Sequence, residues 1–144
     1  MTIKQALKLK NKLVKEITEE TQKMYQYNSV EEGSTRPYSS KESLENVVRL
    51  TNNLVTLKNA IHKANGPVYE KIFRLSELKS LVSKFKQMDC TEGKVDLYRR
   101  SDTTMVKSSE ISVVERDNIV KKFEEEIERI QDELDTHNAV TTIE

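Results

Sequence analysis

The sequence predicts a mainly α-helical protein, an antiparallel four-helix bundle of long helices with a short β-hairpin or extended arm between helices 3 and 4. Charged residues make up 33% of the 144 residues and hydrophobic residues 35%, a balance typical of amphipathic helices with wide solvated faces. Three Gly and two Pro are too few for the turns of a β-sandwich or barrel. Apolar residues recur at helical spacings in four segments. A chain of this length is expected to form a single domain, residues 1–144.

The first helix is predicted over about residues 2–26. Its apolar residues recur at steps of three, four or seven and form one stripe, with Leu13 beside it. The pattern fades at residues 25–28 into a loop that contains Gly33 and Pro37, which disfavour a helix. The stripe consists of Ile3, Leu7, Val14, Ile17, Thr21 and Met24.

The second helix, about residues 40–64, has clear signals at both ends. Ser39 and Glu42 have the spacing of a capping box, and Asn65-Gly66-Pro67 is a stop signal. One face is predicted to be apolar throughout. That face consists of Leu44, Val47, Val48, Thr51, Leu54, Leu57, Ile61 and Ala64.

Helices 3 and 4 are predicted over about residues 68–88 and 113–138. Ser112 and Glu115 form the spacing of a second capping box. Between the two helices, residues 94–111 alternate apolar with polar side chains, which predicts the hairpin or arm. An isolated hairpin is marginally stable in water, so we expect it to lie on the helices or on another subunit.

The charges are distributed unevenly although they cancel overall. Residues 1–66 carry 11 basic and 7 acidic side chains, net +4, whereas residues 111–144 carry 4 and 10, net −6. This favours an antiparallel pairing of the first and last helices, with the lysine-rich start of one beside the acid-rich end of the other. The alternative is that both charged faces are simply solvated. In the paired arrangement the acids of helix 1 would face bases of helix 4: Glu16, Glu19 and Glu20 opposite Arg116, Lys121 and Lys122.

Composition also predicts the kinds of partner. The zero net charge disfavours binding to nucleic acid or to an anionic membrane, and no run of 18 apolar residues or signal peptide occurs. A single cysteine, Cys90, favours the reducing cytoplasm. Long, narrow apolar stripes would leave apolar surface uncovered in one layer of helices, so we expect a homo-oligomer.

The sequence contains no recognisable active site, which predicts a protein that is not an enzyme and has no cofactor. Phosphate-binding loops, paired CxxC motifs and nucleophile elbows are all absent from it. His137 follows Glu133 at a spacing of four, a weak metal-ligand pattern, but Leu134 stands where a dinuclear carboxylate motif needs glutamate. We therefore expect neither a metal site nor catalytic residues. Cys90, between acids at positions 89 and 92, is expected to be an inert thiol.

The arm carries the one candidate binding site. Guanidinium groups bind phosphate or carboxylate through paired hydrogen bonds, a tyrosine ring stacks on planar groups, and hydroxyls add adaptable hydrogen bonds. The alternative is that the two arginines pair with nearby acids such as Asp96 and Asp102. The candidate ligand-binding residues are Tyr98, Arg99, Arg100, Ser101, Thr103, Thr104 and Lys107.

Several short features of the chain occur together: the order of segments, Ile61-His62-Lys63-Ala64-Asn65, Arg100-Ser101-Asp102 followed by Ser112-Val113-Val114, and a last helix closing near Asn138. In these features the chain resembles the septicolysin-like family of small bacterial and phage proteins. The resemblance implies a helical-bundle fold, and the family's name suggests a membrane-active lysin.

Three functions follow as expectations. The first is a non-catalytic, oligomeric binding protein that captures an anionic small molecule, such as a nucleotide-type signal, or a protein partner through the basic hairpin. The second is a purely structural or adaptor bundle that mediates protein–protein interaction. The third is the membrane-active lysin, on the family name alone. A hydrolase ranks last, because no nucleophile–base pair is recognisable.

Overall fold

The computed structural model describes residues 1–96 and 104–144, and these are mainly helical. Four helices are present, with a short antiparallel hairpin between the third and the fourth, as the sequence predicts. The elements are α1 (Ile3–Tyr27), α2 (Ser40–Ala64), a single 3-10 turn (Gly66–Val68), α3 (Tyr69–Lys86), β1 (Gly93–Asp96), β2 (Thr104–Lys107) and α4 (Val113–Val140).

Contacts divide the chain into two compact units. The first comprises residues 1–68 and 135–144, and the second comprises residues 69–134. Helix α4 contributes its last residues to the first unit and the rest to the second. The expectation of a single domain stays a prediction.

In the first unit, α1 and α2 pack side by side and run antiparallel. Glu20, late in α1, lies close to Ser43, early in α2. At the opposite end, Ile143 packs on the cluster formed by the start of α1 and the end of α2. Ala6 is fully buried in this cluster, and its small side chain allows the two helices to approach closely. The cluster consists of Ile3, Ala6, Leu13, Leu50, Leu57 and Ile61.

The buried faces of α1 and α2 differ from the predicted stripes. Val14 was assigned to the stripe of α1, yet it is 45% exposed, whereas Leu13 is 8% exposed. Consecutive helical residues lie about 100° apart, and the packed face is centred on the side of Leu13 rather than on that of Val14. On α2, Leu44 and Val48 were predicted to lie on the apolar packing face, but both are exposed. At about 100° per residue, Leu44 lies about 140° and Val48 about 180° around the helix from the buried Leu57.

The two ends of the chain pair with each other in a way that the sequence did not predict. Thr2 and Thr142 form an antiparallel bridge. The N–H of Ile3 donates to the carbonyl of Thr141, and the N–H of Ile143 donates to the carbonyl of Met1, both at 2.9 Å. These bonds hold the start of α1 against residues 141–143.

In the second unit, α3 and α4 run antiparallel and are joined by three ion pairs. From the start of α3 toward its end, the partner residues lie progressively earlier in α4. The rings of Phe85 and Phe123 lie 5.8 Å apart between their centroids. The ion pairs are Lys71–Glu133 at 3.0 Å, Arg74–Glu126 at 2.6 Å and Lys86–Glu124 at 2.9 Å.

These ion pairs correct the predicted charge pairing of the first and last helices. Glu124, Glu126 and Glu133 of α4, which were expected beside the lysines of α1, bind bases of α3 instead. The acids of α1 pair with lysines of α1 itself, because residues three or four apart on a helix are always within reach. Those pairs are Lys12–Glu16, Lys15–Glu19 and Lys23–Glu20.

Candidate functional site

The hairpin that carries the candidate site is short and regular. Gly93 pairs with Lys107, and the register continues to Asp96 opposite Thr104. Gly93 has a φ of 93°, a left-handed conformation that side chains disfavour, so glycine suits the point where the chain enters β1. Asp96 and Thr104 are the last paired residues of the described hairpin.

Asp89, three residues after the end of α3, clamps the base of the hairpin. The ammonium group of Lys107 donates a hydrogen bond to Oδ2 of Asp89. The backbone N–H and the hydroxyl of Thr91 both donate to Oδ1 of the same carboxylate, the N–H at 2.9 Å. The bond from Lys107, followed by those from Thr91, holds the pKa of the Asp89 carboxyl well below its usual range.

Two further contacts fix the same region. The hydroxyl of Ser109 donates to Oε1 of Glu92 at 2.7 Å, so the segments on both sides of the hairpin are linked a second time. The guanidinium of Arg116, in the first turns of α4, donates to the carbonyl of Met88 at 3.0 Å. Met88 lies two residues after α3, so this bond ties the first turn of α4 to the segment that follows α3.

Of the predicted ligand-binding residues, Thr104 and Lys107 lie among the described residues. Thr104 is the first residue of β2, and Lys107 is the last. The ammonium group of Lys107 is engaged by Asp89 at the base of the hairpin. The remaining candidates lie outside the described residues: Tyr98, Arg99, Arg100, Ser101 and Thr103.

Sequence reasoning missed Asp89 as the organising residue of this region. It was considered only as an acid beside Cys90, whose side chain is buried. The signal was present, because an aspartate two residues before a threonine often accepts hydrogen bonds from that threonine's backbone and hydroxyl. The pairing of Asp89 with Lys107, 18 residues later, has no such local signature.

Other candidate chemistry in the described part of the chain is sparse. Within residues 1–96 and 104–144 no group of three or more His, Cys, Asp and Glu side chains is arranged to hold a metal ion. Nδ1 of His137 lies 3.1 Å from the hydroxyl oxygen of Thr141, while the carboxylate of Glu133 binds Lys71. Of the helices described, none has both the length and the apolar character needed to cross a membrane.

Comparisons with models of known protein families, with curated proteins and with solved structures found no match to this chain.

Proposed function

We propose that this chain is a non-catalytic binding protein that recognises an anionic small molecule of nucleotide type through the segment between β1 and β2. The observation that carries the proposal is the clamped base of the hairpin. The bonds of Asp89 to Thr91 and Lys107 join the segment between α3 and β1 to the last residue of β2. A recognition segment carried on a fixed base loses less conformational entropy when it binds than one on a free arm.

The engagement of the nearby carboxylates also supports the proposal. Asp89 is already bonded to Lys107, and Glu92 to Ser109. Neither carboxylate therefore needs an arginine to satisfy it. The nearest acids in sequence to Arg99 and Arg100 are Asp96 and Asp102.

The residue types favour phosphate joined to a planar ring. Residues 94–107 contain four basic and two acidic side chains, so the segment has a net charge of +2. Arg99 and Arg100 supply two forked donors, and the ring of Tyr98 supplies a stacking surface. In this proposal Lys107 holds the base of the hairpin rather than the ligand, since its ammonium group is paired with Asp89.

Isothermal titration calorimetry with inorganic phosphate and with purine and pyrimidine mono- and triphosphates tests the proposal. We expect heat of binding for at least one nucleotide, and its loss in the double variant Arg99→Ala/Arg100→Ala. The matched control is Lys58→Ala/Lys79→Ala, which removes the same two positive charges from exposed positions on α2 and α3. Absence of heat with every phosphate compound, or equal loss in both double variants, would overturn the proposal.

A second candidate function, an adaptor that binds another protein, is favoured by apolar side chains exposed around the same hairpin. Val106 and Val114 are 73% and 69% exposed, and Met105, Ile111 and Val113 are also exposed. Five such residues within positions 105–114 exceed the scattered single exposures expected of a monomer surface. If this candidate is correct, partner binding is reduced by Val106→Asp or Val114→Asp and is unaffected by Arg99→Ala/Arg100→Ala.

A further inference from the structure

Helix α2 presents an apolar stripe that is exposed in the described structure. Leu44, Val48 and Val55 are 50%, 52% and 62% exposed. Their spacings of four and seven residues place them on one side of the helix. Three large aliphatic side chains in one line are costly to leave in water, so this face is expected to be covered by a partner.

Two opposite charges border the stripe and lie one turn apart. Glu45 and Arg49 line the same shallow groove as Leu44 and Val48. Their spacing allows an ion pair along the helix, yet no such pair forms between them. The guanidinium of Arg49 makes only a long contact, 3.5 Å, with the amide oxygen of Asn46. Among the described residues, no ion pair engages the carboxylate of Glu45.

The two charges of one α2 are complementary to those of a second α2 only if the two helices run in opposite directions. If a second α2 lies antiparallel on this face, Glu45 of each copy comes beside Arg49 of the other. The midpoint between the two charges falls at position 47, next to Val48 and within the stripe. A parallel arrangement would instead place Glu45 beside Glu45 and Arg49 beside Arg49. Like charges across an interface suppress that pairing.

We propose that this face of α2 is a self-association surface that binds α2 of a second copy of the chain, antiparallel across a two-fold axis near Val48. The apolar stripe supplies the buried centre, and two reciprocal Glu45–Arg49 pairs set the direction. A two-fold axis makes the same patch serve on both subunits. With the axis near position 47, Leu44 and Val48 of each copy lie at the centre, whereas Val55 faces position 39 of the other copy, just before its α2. Two aliphatic anchors on each side make a small interface, so the association is weak and depends on concentration. This inference does not depend on the proposed ligand.

Sedimentation equilibrium over about a hundredfold range of protein concentration tests the surface. We expect a monomer–dimer equilibrium in the full chain, and a monomer throughout in Val48→Glu. The control is Val114→Glu, which places the same charge at another exposed valine and is expected to dimerise normally. Thermal unfolding of both variants shows whether they remain folded.

Charge reversals test the geometry separately. Glu45→Arg and Arg49→Glu each create like-charge contacts across the two-fold axis, and each is expected to weaken dimerisation about tenfold. The double reversal restores the pairing and is expected to recover most of the affinity. A chain that stays monomeric at every concentration overturns the proposal. It is also overturned if the double reversal dimerises no better than the single ones, or if Val48→Glu unfolds the monomer, which would mean that the chain itself covers the stripe.

Discussion

The guanidinium of Arg74 on α3 binds the carboxylate of Glu126 on α4 through two hydrogen bonds, Nε to Oε1 at 2.6 Å and Nη2 to Oε2 at 3.2 Å. The hydrogen bonds from Arg74 hold the pKa of the Glu126 carboxyl below its ordinary value. Those to Glu126 raise the pKa of the guanidinium. This paired, planar geometry is specific to arginine. It connects residues 52 positions apart and thereby fixes the register of the two helices.

The first prediction is that Arg74 and Glu126 are energetically coupled. A double-mutant cycle with Arg74→Ala and Glu126→Gln, measured by urea unfolding, is expected to give a small favourable coupling free energy, because the pair is partly exposed. Arg74→Lys keeps the charge and loses the fork, so it should retain only part of that coupling. Both coupling free energies are expected to decrease in about 1 M NaCl, where the screening length is about 3 Å.

The matched control for this cycle is Lys79→Ala with Glu126→Gln. Lys79 is an exposed base on the same helix and forms no ion pair with Glu126 in the structure. Its coupling to Glu126 is expected to be zero within error. Equal couplings for Arg74 and Lys79 would mean that general charge attraction, and not the paired hydrogen bonds, joins the two helices.

The second prediction concerns the response of the hairpin to acid. Asp89 has a lowered pKa in the folded protein, so its ionised form is favoured by folding. The stabilisation is therefore fully present above the ordinary aspartate value of 3.8 and is lost as the pH falls below 3.8 toward the folded pKa. Amide exchange and chemical shifts of residues 93–95 and 105–107, followed by NMR, should report the hairpin loosening in that range.

Asp89→Asn isolates this effect. The variant cannot form the ion pair with Lys107, so its hairpin amides should exchange faster than those of the parent at neutral pH. They should also lack the acid transition that Asp89 causes. Glu92→Gln is the control, because it alters the neighbouring contact to Ser109 and leaves Asp89 in place. A carboxyl resonance of Asp89 that titrates at 3.8 would contradict the structure of the clamp.

Local signals account for the parts of the fold that the sequence predicted best. Helix α2 begins after Ser39, whose hydroxyl accepts from the N–H of Glu42, and it ends at Ala64 before the stop signal. The hydroxyl of Ser112 likewise accepts from the N–H of Glu115. A capping box with both reciprocal bonds occurs instead at Thr2 and Gln5, which was not predicted.

Pairings between residues far apart in the sequence account for most of the structural features that were not predicted. The contacts of Asp89 with Lys107 and of Thr2 with Thr142 join positions with no common periodicity. The net charges of the first and last segments predicted that the acids of α4 would face α1. These net charges do not include the bases of α3, such as Arg74, which are the partners that the structure shows. For the candidate site, the sequence predicted the hairpin, but not the acid that holds its base.

The third prediction contrasts two adjacent residues of α1. Leu13 is buried in the cluster with α2, whereas Val14 is largely exposed, although the hydrophobic pattern had placed Val14 on the stripe. Leu13→Ala removes buried methyl groups and leaves a cavity, so it should lower the free energy of unfolding by about 2–5 kcal/mol. Val14→Ala should change it by no more than about 0.5 kcal/mol, since little packing is lost. Urea unfolding of both variants gives the comparison directly. If both variants lost a similar free energy of unfolding, Val14 would lie on the packed face, and α1 would be rotated about its axis from the orientation described.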